Sequence, residues 1–256
     1  MALPTVVYGS AQVRALDAHE IRERGVPGYT LMKRAGEGAL RFLRTLWPMA
    51  YRIAVVCGGG NNGGDGYVVA RFAQAAGLEV RALAAVEPSL LKGDAQRAWQ
   101  DYQASAGRVL PFDAGELASG DVIVDAVLGT GLAGPLRPEL AAVLQAINAS
   151  GRPVFSLDIP SGLSSDTGLP MGLAVRADAT ISFVGLKTGL FLGDAPEYCG
   201  KLLFDDLEIT PPLENGGNWT PRLQRILDSE IATALPRRLR AAHKGSFGRV
   251  LIVGSG

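Results

Sequence analysis

A run of glycine and asparagine that ends in aspartate is the first segment whose residues could do chemistry. It spans Gly58–Gly66, reads GGGNNGGDG, and lies between an apolar run and a helical pattern. Glycines let the backbone approach a ligand closely, and the N–H groups at the start of a helix bind phosphate. The G-x-G-x-x-G spacing at Gly58, Gly60 and Gly63 is alone a weak indication of dinucleotide binding. A tight turn needs fewer such residues, so we predict a phosphate- or nucleotide-binding loop.

Two further segments place polar side chains next to apolar runs. Asp125 lies inside Val122–Leu128, where a carboxyl is costly to bury unless it is paired or bound to a cation. Asp158 and Ser161 follow another apolar run, where Asp158 could also simply cap the next turn. Asparagine, aspartate and serine oxygens at adjacent strand ends suit a hard cation or a polar ligand.

Short apolar runs alternate with helical patterns between residues 52 and 209, after two N-terminal helical patterns. Runs that are apolar on both faces and separated by helices are typical of a parallel sheet covered on both sides. We therefore predict an α/β fold: a Rossmann-like, doubly wound, mostly parallel sheet in an α-β-α sandwich with N-terminal helices. The predicted strands are Ile53–Cys57, Glu79–Ala85, Val109–Phe112, Val122–Leu128, Pro153–Ile159, Ala179–Val184 and Lys201–Ile209.

The alternation of apolar runs and helical patterns ends after Ile209. We predict a first domain over residues 1–210, a linker over 211–242, and the truncated start of a second domain over 243–256. The last segment contains the apolar run Arg249–Val253, followed by Gly-Ser-Gly. A lone strand does not bury itself, so we expect the chain to continue in a longer parent protein.

The composition excludes several classes of protein. The 256 residues carry 25 basic and 25 acidic side chains and are 47% hydrophobic, which argues against disorder and against nucleic acid or a membrane surface held by bulk charge. No apolar run approaches the ~18 residues that span a bilayer, and no leader is evident. Cys57 and Cys199 form neither a disulfide framework nor a zinc site. We expect a soluble, cytoplasmic protein.

Together the three motifs closely resemble those of the NAD(P)H-hydrate epimerase family, the YjeF N-terminal domain. The motifs are Gly58–Gly66, the run DAVLGTGL that begins at Asp125, and the run LDIPSG that begins at Leu157. The resemblance implies an isomerase that interconverts the R and S hydrates of NADH and NADPH, in metabolite repair. The segment His243–Gly254 resembles the opening of the ADP-dependent NAD(P)H-hydrate dehydratase domain, which has a ribokinase-like fold. Dehydratase (lyase) activity is then expected only in a full-length, bifunctional parent.

The resemblance also implies site residues. Asp158 would contact the substrate and be the catalytic acid/base, and Asn62, Asp125 and Ser161 would hold one potassium ion per subunit. The partners would be the hydrated nucleotide, a dehydratase domain in cis, and further copies in a homodimer or larger homo-oligomer. Lys33 departs from the family's Leu-Met-Glu pattern. The loops expected to line the nucleotide are Asn61, Asn62, Gly63, Gly64 and Asp65, with Gly129, Thr130, Gly131, Leu132, Ala133, Gly134 and Pro135.

Two other functions fit parts of the pattern. An NAD(P)-dependent oxidoreductase needs an acidic residue roughly 20 positions past the glycines to bind the ribose, and Glu87 has a suitable spacing. Asn61, Asn62 and Asp65 argue against it, because a dinucleotide loop normally omits such side chains. A non-catalytic nucleotide-binding module is the second alternative. Lys187, after a predicted strand, could reach a phosphate or lie in solvent.

Overall fold

A computed structural model describes residues 3–131, 134, 136–211 and 219–234 of the chain. The helices are α1 Ser10–Arg22, α2 Gly28–Leu46, α3 Asn61–Ala75, α4 Gly93–Ala104, α5 Ala114–Leu117, α6 Pro138–Ala149 and α7 Asp228–Ala234. The strands are β1 Val6–Tyr8, β2 Arg52–Cys57, β3 Glu79–Ala84, β4 Val109–Pro111, β5 Val122–Ala126, β6 Val154–Leu157, β7 Ala179–Phe183, β8 Leu186–Lys187, β9 Lys201–Asp205 and β10 Leu223–Gln224. Short 3-10 helices span Pro88–Leu90, Thr188–Leu190 and Ala195–Glu197.

Seven parallel strands form the main sheet, in the order β4-β3-β2-β5-β6-β7-β9. The chain adds β3 and β4 on one side of β2, then returns and adds the later strands on the other side. The direction of winding therefore reverses between β2 and β5, which pair from Ile53↔Val122 to Cys57↔Ala126. Ligands of open α/β sheets bind outside the carboxyl ends of the strands at such a switch point.

Both faces of the sheet are covered. In β2, Ile53, Val55 and Cys57 pack in a core cluster with residues of α2 and α3, whereas Ala54 and Val56 pack in a second cluster with residues of α6. This alternation explains why the strands read as continuous apolar runs, since each face of a parallel sheet contacts a layer of helices. The predicted Rossmann-like α-β-α sandwich is confirmed.

The glycine-rich segment is more helical than predicted. The pattern from Tyr67 predicts the start of the third helix, yet α3 begins at Asn61 with Gly60 as its N-cap residue. A Cβ atom at Gly66 would lie 2.6 Å from the Cβ of Ala126 and 3.0 Å from the Sγ of Cys57. The glycines thus allow the first turns of α3 to pack directly on the ends of β2 and β5.

A small second sheet was not predicted. In it β1 pairs in parallel with β8, with Tyr8 opposite Lys187, and antiparallel with β10. This pairing fixes the start of α1, which follows β1 after one residue, relative to the strand that carries Lys187. The sheet therefore ties an N-terminal helix to the carboxyl end of the main sheet.

The chain forms two compact units, Met1–Gln224 and Arg225–Gly256. In the second unit the described residues form α7, and the predicted start of a dehydratase domain at 243–256 lies outside the described residues. Within the described part of the chain, no helix has the length and apolar character needed to cross a membrane.

Candidate functional site

A cavity of about 430 Å³ opens at the switch point between β2 and β5. This volume lies within the range of small-molecule sites. The start of α3 lines it through Asn61, Asn62 and Asp65, and the segment 127–131 lines it beyond β5. Further walls come from Asp158 and from helices α1 and α2. The structure therefore brings residues of all three sequence motifs to one cavity.

The first turn of α3 is built to let its backbone approach other groups. Gly63 and Gly64 lie beneath the cavity surface, where they are buried. A side chain at Gly63 would collide with the carbonyl group of Gly58, and one at Gly64 would lie 2.8 Å from the Sδ of Met32. These two glycines contribute close packing. The Gly64 N–H donates to the Gly60 carbonyl at 3.1 Å, and the N–H groups ahead of it in the first turn of α3, which have no acceptor within the helix, suit an anion.

Three side chains among the described residues have buried polar atoms without a hydrogen-bond partner, and of these Asn62 is the one that lines the cavity. It is 8% exposed, and neither its Oδ1 nor its Nδ2 atom has a hydrogen-bond partner among the described residues. A buried amide without partners is costly, and native structures usually reserve such groups for a ligand, an ion or water. Asn62 is therefore suited to hold a ligand or cation.

Asp125, in contrast to Asn62, has hydrogen-bond partners for both of its side-chain oxygens. It is fully buried, and its Oδ2 accepts hydrogen bonds from the Ser156 hydroxyl at 2.8 Å and the Ser161 N–H at 2.9 Å. Its Oδ1 accepts from the Ser161 hydroxyl at 2.6 Å and the Val127 N–H at 3.3 Å. Burial raises the pKa of Asp125, and these hydrogen bonds oppose the rise. The carboxyl thus fastens the end of β5 to β6 and its following turn.

The predicted cation ligands all offer oxygen atoms: Asn62 at the start of α3, Asp125 near the end of β5 and Ser161 in the turn after β6. Ser161 accepts a hydrogen bond from the Leu128 N–H at 2.7 Å, and its hydroxyl has two acceptors, Asp125 at 2.6 Å and the Leu128 carbonyl at 3.1 Å. The described residues contain no group of three or more His, Cys, Asp or Glu placed to hold a metal ion. An oxygen set with one carboxylate fits a monovalent cation, and the unpartnered Asn62 oxygen supports that fit.

Asp158 lies on a strained turn at the end of β6. Its φ is +67°, and the Ile159 N–H donates to the Leu157 carbonyl at 2.8 Å, which closes a γ-turn. Val184, at the end of neighbouring β7, repeats this conformation with φ +65° and a Gly185-to-Phe183 hydrogen bond of 2.7 Å. Positive φ is uncommon for residues other than glycine, and such strain clusters at functional sites. Asp158 and Val184 both line the cavity.

Lys187 is the functional residue that the sequence analysis weighed too lightly. The alternative that placed it in solvent is wrong: Lys187 is fully buried, and its Nζ donates to Asp158 Oδ1. The same ammonium donates to the Ser182 hydroxyl at 3.0 Å and the Phe183 carbonyl at 2.9 Å. All three N–H donors of the lysine are therefore satisfied, and the group holds Asp158 rather than reaching for a phosphate.

The segment after β5 closes over Asp158. The Thr130 N–H donates to Asp158 Oδ2 at 3.1 Å, and the Thr130 carbonyl accepts from the guanidinium of Arg14 at 3.0 Å. A Cβ at Gly129 would lie 3.0 Å from Asp158 Oδ2 and 3.3 Å from the Cβ of Asn62, so these two site residues are neighbours. Gly131 lines the cavity and Gly134 is exposed, while Leu132, Ala133 and Pro135 lie outside the described residues.

Three further carboxyls line the cavity without a hydrogen bond or ion pair among the described residues, those of Asp17, Asp65 and Asp94. Burial raises the pKa of Asp65 well above its usual range, and the charges of Asp158 and Asp17 raise it further. Burial likewise raises the pKa of Asp17 to about 6, a rise that Lys187 opposes and Asp158 reinforces. Asp17 belongs to α1, a helix in which the sequence analysis named no site residue. Its only sequence signal is an acid on the same helical face as Val13 and Ile21.

The remaining sequence candidates lie away from the cavity. Lys33 is exposed, with its Nζ 5.7 Å from the ring centroid of Tyr29, although the preceding Leu31 and Met32 do line the cavity. Glu87, the residue an oxidoreductase would need, is exposed and does not line the cavity. Lys33, a basic residue where the family pattern has glutamate, therefore does not alter the cavity wall.

Known proteins resemble this chain over most of its length. It is 42% identical over 98% of its residues to a bifunctional NAD(P)H-hydrate repair enzyme of Coxiella burnetii. It is 37% identical over 99% of its residues to a protein of the same name from Escherichia coli. These matches cover 51% and 49% of the two proteins, so the chain spans about half the length of the curated relatives it matches.

Structure and family comparison agree. The crystal structure of yeast ynu0, YNL200c, superposes with a TM-score of 0.65 at 22% identity, covering 72% of this chain and 82% of the yeast chain, which shows the shared fold. The family model of the YjeF-related protein N-terminus matches residues 28–189, from the start of α2 to the segment just beyond Lys187. That range contains the glycine-rich helix start, Asp125, Asp158 and Lys187. The chain belongs to the family of YjeF-related protein N-termini.

Proposed function

We propose that this chain is the epimerase part of an NAD(P)H-hydrate repair enzyme. It would interconvert the R and S hydrates of NADH and NADPH. The observation that carries this proposal is a carboxylate held by a buried lysine in the wall of a cavity of about 430 Å³, which the glycine-rich helix start also lines. The names of its relatives, which are NAD(P)H-hydrate repair enzymes, point in the same direction.

The reaction needs proton transfer and no oxidant. The hydroxyl of the hydrate is on C6, next to the ring nitrogen, so its departure with a proton as water leaves an iminium-like cation. Water then adds to the other face of C6 and gives up a proton. Asp158 is suited to handle that proton, because its carboxylate lies at the cavity surface and is fixed by Lys187 and Thr130. Its negative charge also favours the cationic intermediate.

The other two motifs are suited to bind the nucleotide. The start of α3 offers backbone N–H groups to the phosphates, and the segment from Gly129 lies across the cavity beside Asp158. Because Glu87 does not line the cavity, the ribose contact expected of an oxidoreductase lacks its acidic residue. This favours the epimerase over that alternative.

A potassium ion is part of the proposal. Asn62, Asp125 and Ser161 would hold it, and it would anchor phosphate and fix the loops without redox chemistry. The support is twofold: the Asn62 amide is buried without a partner, and the oxygen atoms of Asp125 and Ser161 lie together. We also propose a dehydratase domain in cis, as in the bifunctional relatives. The homo-oligomer predicted from the sequence stays a prediction that light scattering would check.

The test of the proposed function is conversion of the R hydrate of NADH. The chain is incubated with the pure R hydrate and an excess of a separately purified dehydratase that consumes only the S hydrate with ADP. We expect NADH to form faster than by spontaneous epimerisation. Hydride transfer to or from added cofactor would instead support the oxidoreductase, and binding without turnover would support the non-catalytic module.

The potassium proposal has a test that does not depend on turnover. We expect potassium chloride to raise the Tm and to strengthen binding of the NADH hydrate relative to tetramethylammonium chloride at equal ionic strength. In Asp125→Ala, binding should weaken and the difference between the two salts should vanish. A wild-type response to potassium in the folded variant would count against Asp125 as a ligand.

A further inference from the structure

The proposed reaction needs two proton transfers, and Asp158 is the one group assigned to proton transfer so far. A proton must reach the departing hydroxyl on one face of C6, and another must leave the incoming water on the opposite face. Both oxygens of Asp158 accept hydrogen bonds, one from Lys187 and one from Thr130. This arrangement presents Asp158 to the cavity as a proton acceptor and leaves the role of donor to another group.

Three other carboxyls line the cavity. Asp65 lies in the first turns of α3, three residues after Asn62, where the phosphates are expected. Asp94 lies in the first turn of α4, against Gly28 at the start of α2. Asp17 is the one that lies on the wall formed by α1. Of the three, Asp17 is the one that belongs neither to the start of α3, where the phosphates are expected, nor to the α2–α4 corner.

Several contacts place α1, the helix that carries Asp17, beside the reacting end of the cavity. Arg14, on the preceding turn of α1, donates to the Thr130 carbonyl, and the N–H of the same Thr130 donates to Asp158. Strand β1, just before α1, lies in register with β8 so that Tyr8 is opposite Lys187. Charges on Lys187 and Asp158 act on Asp17 from the strand side, and Asp65 interacts with it from α3. Asp17 itself makes no hydrogen bond or ion pair with any described residue.

We propose, resting on the proposed function, that Asp17 is a second catalytic residue that exchanges protons with the substrate from the α1 side while Asp158 does so from the strand side. In one direction Asp17 gives its proton to the C6 hydroxyl, the C–O bond breaks with its electron pair going to the departing water, and the ring nitrogen forms the iminium bond. Incoming water then forms the new C–O bond and loses its proton to Asp158. In the reverse direction the two carboxyls exchange roles.

The environment of Asp17 suits this use. Burial raises its pKa to about 6, so the carboxyl keeps a proton far more readily than an exposed aspartate does. The charged groups that face it are Lys187, Asp158 and Asp65, with Arg14 on its own helix. A carboxyl that titrates in this range is both a usable acid and a usable base.

The test compares Asp17→Asn with Glu23→Gln, an exposed charge-neutralising control at the end of the same helix. With NADH hydrate as substrate, we expect kcat of Asp17→Asn to fall ~10²–10⁴-fold with KM nearly unchanged, and Glu23→Gln to behave like wild type. The wild-type pair needs one shared proton, so kcat/KM in either direction should fall above pH about 6, as that pKa implies. This alkaline limb should disappear in Asp17→Asn and move in Asp17→Glu.

The outcomes separate the two proposals. A wild-type chain that does not epimerise the hydrate overturns the proposed function, and the role of Asp17 with it. An active wild type together with an Asp17→Asn variant that keeps its kcat and its alkaline limb overturns only the role of Asp17. Should Asp17→Asn not fold, an alkaline limb that stays at the same pH in Asp17→Glu would overturn it equally.

Discussion

The two sides of the cavity differ in how completely their polar groups are bonded. On the strand side, both carboxylate oxygens of Asp125 and of Asp158 accept hydrogen bonds from the protein. All three ammonium donors of Lys187 likewise have protein acceptors. On the helix side, Asn62 is buried without partners, and Asp17 makes no hydrogen bond or ion pair with a described residue. The hydrogen-bond partners on the strand side come from the protein itself, whereas Asn62 and Asp17 on the helix side are left for a ligand to bond.

This difference separates two physical tasks. A group that must present one fixed geometry to a reacting atom gains from being held by the fold before the substrate arrives. A group that must hold a ligand has to keep a lone pair or a donor free, which costs stability. Relative to their effect on ligand binding, substitutions on the strand side should therefore lower the stability more than substitutions on the helix side do.

The largest expected effect is on the rate, from Asp158→Asn. The variant keeps the size of the side chain but removes proton transfer, so epimerisation should fall ~10²–10⁴-fold. Affinity for the hydrate should change little, because the start of α3 and the segment from Gly129 supply the phosphate contacts. The measurement is R-to-S conversion coupled to excess dehydratase, with a melting curve for the same protein. Near-wild-type turnover by a well-folded variant would remove Asp158 from the mechanism.

The next largest effect concerns stability, from Lys187→Met. Removing one partner of a buried ion pair typically costs about 3–5 kcal/mol, because the other charge is left uncompensated. Chemical denaturation should show a loss of this size, and most of it should be recovered when Asp158→Asn is added. Arg52→Met is the matched control at an exposed pair, where Arg52 donates to Asp121 at 2.7 Å and the expected cost is about 1 kcal/mol or less. Equal losses in the two single variants would contradict a special role for the buried pair.

The smallest effect is expected from Asn62→Ala without ligands. Because the amide has no protein partner to lose, the free energy of unfolding should change by less than about 1 kcal/mol. Asp125→Ala, which removes the acceptor of four hydrogen bonds from two hydroxyl and two N–H groups, should cost several times more. Both variants should bind the NADH hydrate more weakly than wild type does. A large loss of stability in ligand-free Asn62→Ala would show that the protein itself uses this amide.

The features of the site also differ in whether the sequence alone can predict them. The strands, the glycine-rich helix start, Asp125 and Asp158 are all visible in the sequence, because each is a local pattern next to an apolar run. The roles of Lys187 and Asp17 are not visible there, since they depend on which strands are neighbours and on where β1 anchors α1. The start of α3 was misplaced because glycine and asparagine disfavour helices locally, while close packing on β2 and β5 overrides that preference.

The paired γ-turns at Asp158 and Val184 bear on how the protein could be made more heat-resistant. Valine is a poor residue for a positive φ, and strained positions of this kind cost about 1–3 kcal/mol each. Glycine at position 184 would relieve that strain, yet it would also free the backbone that delivers the Phe183 carbonyl to Lys187. Thermal stability and the position of the Lys187 ammonium group are thus coupled through the turn at Val184, so selection for either property would act on the other.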